Sequence, residues 1–262
     1  MSPSFRTSIL HFDSIDSTNL EAIRRARSGA PEGTCIVARE QTAGRGRLDR
    51  AWQSPKDAGL YLSVLLRPTL ELQQWPLITL MAAVAVRTAL QKACGLQADI
   101  KWPNDICVNE RKLCGILAEA IETPSGAAVV LGIGINLIRT ATPGELRATA
   151  ISIEEANGEQ PDVDALRQTL LDTIAADYEV VQTAGGAEHL IREWSAASSY
   201  AFDRHVRVTL DRESFIGTTR GLDNDGALRV ETADGNLRIV RAGDVTSVRP
   251  TAAVESLLSY ER

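Results

Sequence analysis

Residues 113–121 (LCGILAEAI) and 127–137 (AAVVLGIGINL) are two aliphatic runs joined only through Glu122, Thr123 and Pro124-Ser125-Gly126. Turn residues between two such runs predict a hairpin, and so tight a turn joins antiparallel neighbours. The rest of the chain must be arranged around that pair. Runs 34–38 and 60–66 are also aliphatic and read as buried strands. Short strands at 100–102 and 106–108 flank Pro103-Asn104-Asp105, and Asn109-Glu110-Arg111 forms a polar turn. Helices are interleaved with these strands. Thr18 and Glu21 have capping-box spacing, with Leu20, Ile23 and Ala26 on one face and Gly29 at the end. A long helix is expected over 73–94, with Pro76 in its first turn and Gly95 beyond its end. Helical periodicity returns at 163–182 and 188–197. This mixture points to an α+β class with a mixed or antiparallel sheet packed against helices, rather than a doubly wound fold.

Near Tyr200 the pattern changes. Short alternating strands at 206–210, 214–219, 227–231, 237–240 and 245–248 are separated by polar turns such as Asp223-Asn224-Asp225-Gly226. Five short strands in so few residues predict a small β-barrel module. The domain division is therefore expected at 1–200 and 201–262.

Composition excludes several function classes. With 28 basic and 34 acidic residues among 262 the net charge is −6, which argues against broad nucleic-acid binding. The apolar stretches 77–86 and 127–137 are shorter than the ~18–20 residues of a membrane span. The N-terminal segment has no apolar h-region and no small-residue cleavage site, so no export is expected. Cys35, Cys94, Cys107 and Cys114 are too sparse for a disulfide scaffold and form no CxxC pair. They read as small buried hydrophobes in a reducing cytoplasm. His11, His189 and His205 stand in unrelated segments, which disfavours a histidine metal site or a catalytic triad.

Chemistry concentrates elsewhere. Residues 41–59 form a polar stretch between two buried strands, and loops of that length in compact domains are usually functional or disordered. Residues 39–56 hold five basic side chains against Glu40 and Asp49, a local +3. In Gly44-Arg45-Gly46-Arg47 the glycines permit close backbone approach, and the guanidiniums can grip carboxylate or phosphate bidentately. Arg50 and Trp52 follow, the latter offering a flat face to a heterocycle. There is no Walker A loop and no Rossmann fingerprint. Three more clusters come later: Lys101-Trp102-Pro103-Asn104-Asp105, Lys112-Leu113-Cys114-Gly115 and Gly132-Ile133-Gly134-Ile135-Asn136.

Taken in order with Ser17-Thr18-Asn19 and Gln41, these clusters resemble the biotin protein ligases, over about residues 10–250. The resemblance implies joining of biotin and ATP, with Mg2+, into biotinyl-5′-AMP. The biotinyl group then passes to a lysine of a biotin carboxyl carrier protein, the carrier subunit of acetyl-CoA carboxylase or another biotin-dependent carboxylase. It assigns Ser17, Thr18 and Asn19 to the ureido end of biotin. Gln41, Arg45, Gly46 and Arg47 close over biotin and phosphates, and Gly115 lets biotin approach its strand. Lys112 would bridge the biotin carboxylate and the α-phosphate as an electrostatic catalyst, with Arg47 beside it. Arg50, Trp52, Asn104 and Asn136 would border the adenylate. Asp105 would handle metal or the acceptor lysine. The C-terminal module resembles the SH3-like domain of these ligases.

Two departures stand out. Asp49 occupies a position where the family loop often has glycine, placing a charge near an anionic intermediate. Only 16 residues precede Ser17, too few for the helix-turn-helix of bifunctional members, so no operator binding is expected; a biotin-dependent gel shift would overturn this. The competing readings are a lipoate or octanoate ligase of the same fold, whose Arg-Arg…Ser-Gly-Gly-Gly loop and His-Asp pair are not found, and a non-enzymatic regulator sensing biotinyl-adenylate.

Overall fold

The computed structural model describes residues 7–247. The expected end of the last strand at Val248 lies outside them. The elements in order are β1 (Ser8–Phe12), α1 (Thr18–Arg27), β2 (Thr34–Ala38), β3 (Gly59–Leu66), α2 (Pro76–Cys94), β4 (Asp99–Lys101), β5 (Asp105–Val108), β6 (Arg111–Thr123) and β7 (Gly126–Asn136). There follow α3 (Ile153–Asn157), α4 (Val163–Val181), α5 (Gly186–Ala197), β8 (Phe202–Thr209), β9 (Ser214–Leu222), β10 (Leu228–Glu231), β11 (Leu237–Val240) and β12 (Asp244–Ser247). The expected hairpin is β6–β7, paired from Cys114↔Ile135 to Thr123↔Gly126. It sits inside a seven-stranded sheet of order β1-β2-β3-β7-β6-β5-β4, parallel only at β1–β2. The last five strands form an antiparallel sheet of order β11-β10-β9-β8-β12.

One face of the large sheet packs on α2, α4 and α5 through Leu62, Val64, Leu131, Ile133 and their neighbours. Helix α2 lies in this core. Pro76 opens it, where its missing N–H costs nothing, and Gly95 at φ +64° closes it. The stretch Leu72–Cys94 is by length and composition long and apolar enough to cross a membrane, and more than half of its apolar window is buried here against sheet and helices. The run 77–86 read from sequence understates it, because the helix continues through Arg87 and Lys92.

The other face carries α1. Its buried positions are Thr18, Asn19, Glu21, Ala22 and Ala26, while Leu20 and Ile23 are only half-buried. That corrects the expected apolar stripe. Ala22 and Ala26 meet Ile36, Leu65, Ala128 and Val130, so small residues bring the helix close to the sheet. The capping box does not form. Ser17 is the N-cap residue and makes no side-chain cap, and Glu21 accepts from Arg24 Nε and Arg25 Nε, each at 2.7 Å. Strand β1 and helix α3, five residues each, were not anticipated.

Candidate active site

Alternation along β7 turns Val130, Gly132, Gly134 and Asn136 toward the α1 face, and along β3 it turns Tyr61 and Ser63 the same way. Where α1 ends at its N-terminus, this face is left uncovered and becomes the floor of a cleft of about 450 Å³. Every residue expected of the site lines it: Ser17, Thr18, Asn19, Gln41, Arg45, Gly46, Arg47, Arg50, Trp52, Asn104, Asp105, Lys112, Gly115 and Asn136. Gly132, Gly134 and Asp244 line it as well.

Lys112 and Gly115 are three residues apart on one strand, which in a regular strand puts them on opposite faces. A bulge reconciles them. Ile106 faces Cys114 and Cys107 faces Lys112, so two steps on β6 match one on β5. As a result, a Cβ placed on Gly115 would lie 3.1 Å from Lys112 Cε and 2.9 Å from Trp52 Cζ3. Gly115 pairs directly with Gly134, where a Cβ would lie 2.5 Å from Trp52 Nε1. The indole therefore rests against two facing glycines, with the Lys112 ammonium 5.3 Å from its ring centre.

Backbone hydrogen bonds cross the polar stretch before β3. Trp52 N–H donates to Gly44 O (2.9 Å) and Gly46 N–H to Arg50 O (2.7 Å), closing a hairpin-like loop. At its apex Leu48 and Asp49 both have positive φ, +52° and +55°. Asp49 is exposed and is not among the residues lining the cleft, so its charge stands off from the floor.

Each cation of the loop meets an acid or an amide from elsewhere. Arg45 meets Glu119 at 3.0 Å. Arg47 donates to Asn104 Oδ1 (3.0 Å) and to Gly243 O (3.2 Å), and burial pushes its pKa below the ordinary guanidinium value. Arg50 pairs with Asp244 of the C-terminal sheet. Lys112 Nζ lies 2.6 Å from Asp105. The cleft thus holds a row of fixed cations, each beside a counter-ion or dipole that an anionic ligand can replace. Asp105 is paired with Lys112 in this structure. Among the described residues no group of three or more His, Cys, Asp or Glu is placed to hold a metal ion.

At the far end, the head of α1 is polar. Thr18 N–H and Oγ1 both point at Gln41 Oε1 (2.8 and 3.1 Å), and Gln41 Nε2 donates to Ser54 Oγ (2.8 Å). Ser63 Oγ lies 2.8 Å from Thr18 Oγ1 and 2.6 Å from Asn19 Oδ1. A Cβ on Gly132 would overlap Asn19 Oδ1 at 2.0 Å, so glycine is what lets this amide lie on the strand. Ser63, Ser54, Glu119 and Asp244 escaped the sequence reading. Ser63 is a lone hydroxyl in an aliphatic strand, which is a usable signal; Asp244 offers none. Asn104 and Asn136 border the cleft, but their amide nitrogens hold backbone, Ile116 O (2.7 Å) and Ile151 O (3.1 Å) respectively.

Known proteins share the sequence and fold of this chain. Residues 11–136 match the biotin/lipoate A/B protein ligase family, and residues 201–246 match the biotin protein ligase C-terminal domain. The bifunctional ligase/repressor of Bacillus spizizenii is 38% identical over 237 residues, covering 89% of this chain and 72% of the relative. The biotin–[acetyl-CoA-carboxylase] ligase of Mycobacterium tuberculosis is 33% identical over 239 residues, covering 89% and 86%. The biotin protein ligase of Aquifex aeolicus in complex with biotin and ATP superposes with a TM-score of 0.78 at 27% identity, covering 93% of this chain and 99% of that one. With a site of this geometry and relatives of this extent, the chain belongs to the biotin/lipoate A/B protein ligase family.

Proposed function

We propose that this chain is an ATP-dependent biotin–protein ligase, forming biotinyl-5′-AMP and transferring biotin to one lysine of a biotin carboxyl carrier protein. The observation that carries this reading is the floor of the cleft. It runs from a polar pocket at Thr18 and Asn19, past Gly132 and the Trp52 indole seated on Gly115 and Gly134, to the Lys112 ammonium. A flat polar ring system joined by an apolar chain to a carboxylate matches that order of groups.

The biotin carboxylate attacks the α-phosphorus of ATP, forming a C–O–P anhydride as the bond to pyrophosphate breaks. Two anions must approach, and charge grows on the leaving group. Lys112, Arg45, Arg47 and Arg50 meet both demands as cations held in place before substrate arrives. Lys112 acts as an electrostatic catalyst. It exchanges Asp105 for the biotin carboxylate and the α-phosphate, and an ammonium has no lone pair with which to act as base. In the second step the acceptor amine attacks the carbonyl carbon and AMP leaves. The amine must lose a proton, and Asp105, freed from Lys112, is the carboxylate beside that position. Mg2+ carried by ATP would be held mainly by phosphate oxygens, with Asp105 the neighbouring carboxylate, and would supply screening of the phosphate charge. Trp52 stacks beside the adenylate on its glycine platform.

Residues 1–200 form the catalytic unit in this reading, and 201–262 form a module that reaches the site through Gly243 and Asp244. Four free cysteines support a reducing, cytoplasmic setting. The test is biotin-dependent ATP–pyrophosphate exchange, with octanoate as the control and a carrier domain as acceptor. Exchange with octanoate but not biotin would establish a lipoate-type ligase instead. Ligand binding without exchange would establish a non-enzymatic sensor.

A further inference from the structure

We propose that Glu119 is a positioning residue that couples the pocket at the head of α1 to the Gly/Arg loop. The proposal rests on the reading of that pocket as the biotin ureido site. Glu119 stands on β6, half-buried, on the face turned to α1. Its Oε2 accepts from Asn19 Nδ2 at 2.8 Å, and the carboxylate meets Arg45 Nη1 at 3.0 Å from Oε1 and 3.3 Å from Oε2. One side chain therefore touches both a pocket residue and a loop residue.

The contacts beyond Asn19 close a circuit. Asn19 Oδ1 meets Ser63 Oγ, Ser63 meets Thr18 Oγ1, Thr18 meets Gln41 Oε1, and Gln41 Nε2 meets Ser54 Oγ. The chain of polar groups thus leaves the loop region at Gln41 and Ser54 and re-enters it at Arg45. Its direction follows from donor inventory alone. The Glu119 carboxylate accepts, as does Leu117 O at 3.3 Å, so Asn19 must turn its NH2 toward them and its carbonyl toward Ser63. That carbonyl accepts, so Ser63 spends its single proton there and offers Thr18 only lone pairs. Thr18 in turn has acceptors on both sides, Ser63 and Gln41, and its proton is consumed within the network. What Thr18 Oγ1 shows the cleft is an acceptor, the group a ureido N–H requires. Glu119, the nearer of the two acceptors on Asn19 Nδ2, holds this polarity together with Leu117 O and also anchors Arg45.

The test is Glu119→Gln, which keeps size and shape but gives Asn19 and Arg45 one acceptor oxygen to share. In biotin-dependent pyrophosphate exchange the KM for biotin should rise about tenfold, the effect of losing one hydrogen bond to a charged group, with kcat within about threefold. Trypsin should cut the ligand-free loop after Arg47 several-fold faster than in the unmodified protein. In an Arg45→Gln background, Glu119→Gln should leave that cleavage rate unchanged. A biotin KM within twofold of the unmodified protein overturns the proposal, as does unchanged cleavage. So does a lowered melting temperature with both readouts unmoved, which would mark a purely structural residue. Absence of exchange in the unmodified protein would sink the ligase reading instead, and the ligand-free cleavage comparison would still decide whether Glu119 anchors Arg45.

Discussion

Gly134→Ala tests the platform beneath Trp52. The added Cβ would lie 2.5 Å from the indole Nε1 and 2.6 Å from Cε2, about 1 Å inside ordinary van der Waals contact. Strand β7 cannot retreat, because it is hydrogen-bonded to β3 on one side and β6 on the other, with Gly134 opposite Tyr61 and Gly115. The backbone of Trp52 is also held, through its N–H to Gly44 O. The indole must therefore swing about its side-chain torsions and leave its place beside Lys112. Overpacking of this kind costs about 1–3 kcal/mol, which for a domain of this size lowers the melting temperature by about 2–12 °C. The same displacement narrows the cleft floor, and kcat/KM in pyrophosphate exchange should fall at least tenfold, a loss of about 1.4 kcal/mol. Thermal unfolding followed by circular dichroism measures the first effect. Its control is the Trp52→Ala background, where the methyl group has room and Gly134→Ala should cost less than about 0.5 kcal/mol. An equal drop in melting temperature in both backgrounds would refute the clash with Trp52 and the platform with it.

Three further outcomes are expected. Lys112→Ala should reduce biotin-dependent exchange by about 10²-fold or more while leaving the melting temperature nearly unchanged, since its ion pair with Asp105 is partly exposed; retention of a tenth of the activity would remove Lys112 from its electrostatic role. Asp49→Gly relieves a non-glycine residue at φ +55° and should slow adenylate release in a trapping assay by up to about fivefold, worth ~1 kcal/mol; an unchanged off-rate would mean that this backbone strain does not gate release. Asp177 lies in a second cleft among α2, α4 and α5, near Lys92, His189 and Glu193, and burial raises its pKa. Its charged form is disfavoured in the folded protein, so the penalty is absent below the unfolded value near 3.8 and complete above the raised folded value. Asp177→Asn should accordingly raise the melting temperature at pH 7 but not at pH 3, and a gain of equal size at both would contradict the assignment.

Much of this was legible in sequence because it depends on neighbours. The β6–β7 hairpin, α2 between Pro76 and Gly95, and the five short strands after Tyr200 follow from periodicity and turn chemistry within a few residues. The short elements were missed for the same reason. Five residues at 8–12 or 153–157 carry too little periodicity to stand out, and pairing to β2 or packing beneath the sheet is what holds them. The head of α1 misled differently. Thr18 has the spacing of a capping residue, yet its hydroxyl faces Gln41 and Ser63, because long-range polar partners outcompete a local cap.

Residue types and order along the chain, with no tertiary information, determine that cations and glycines fall in a few short clusters, in an order that resembles the biotin protein ligases. Local chemistry suffices for that, since a guanidinium or a missing Cβ acts the same wherever it is placed. Tertiary structure alone decided which face each group serves and what balances its charge. A single bulge turns Lys112 and Gly115 to one side, two facing glycines seat Trp52, and Glu119 and Asp244 come from distant strands to hold Arg45 and Arg50. Register and counter-ions depend on strand pairing between segments up to some two hundred residues apart, and no window of sequence contains that information.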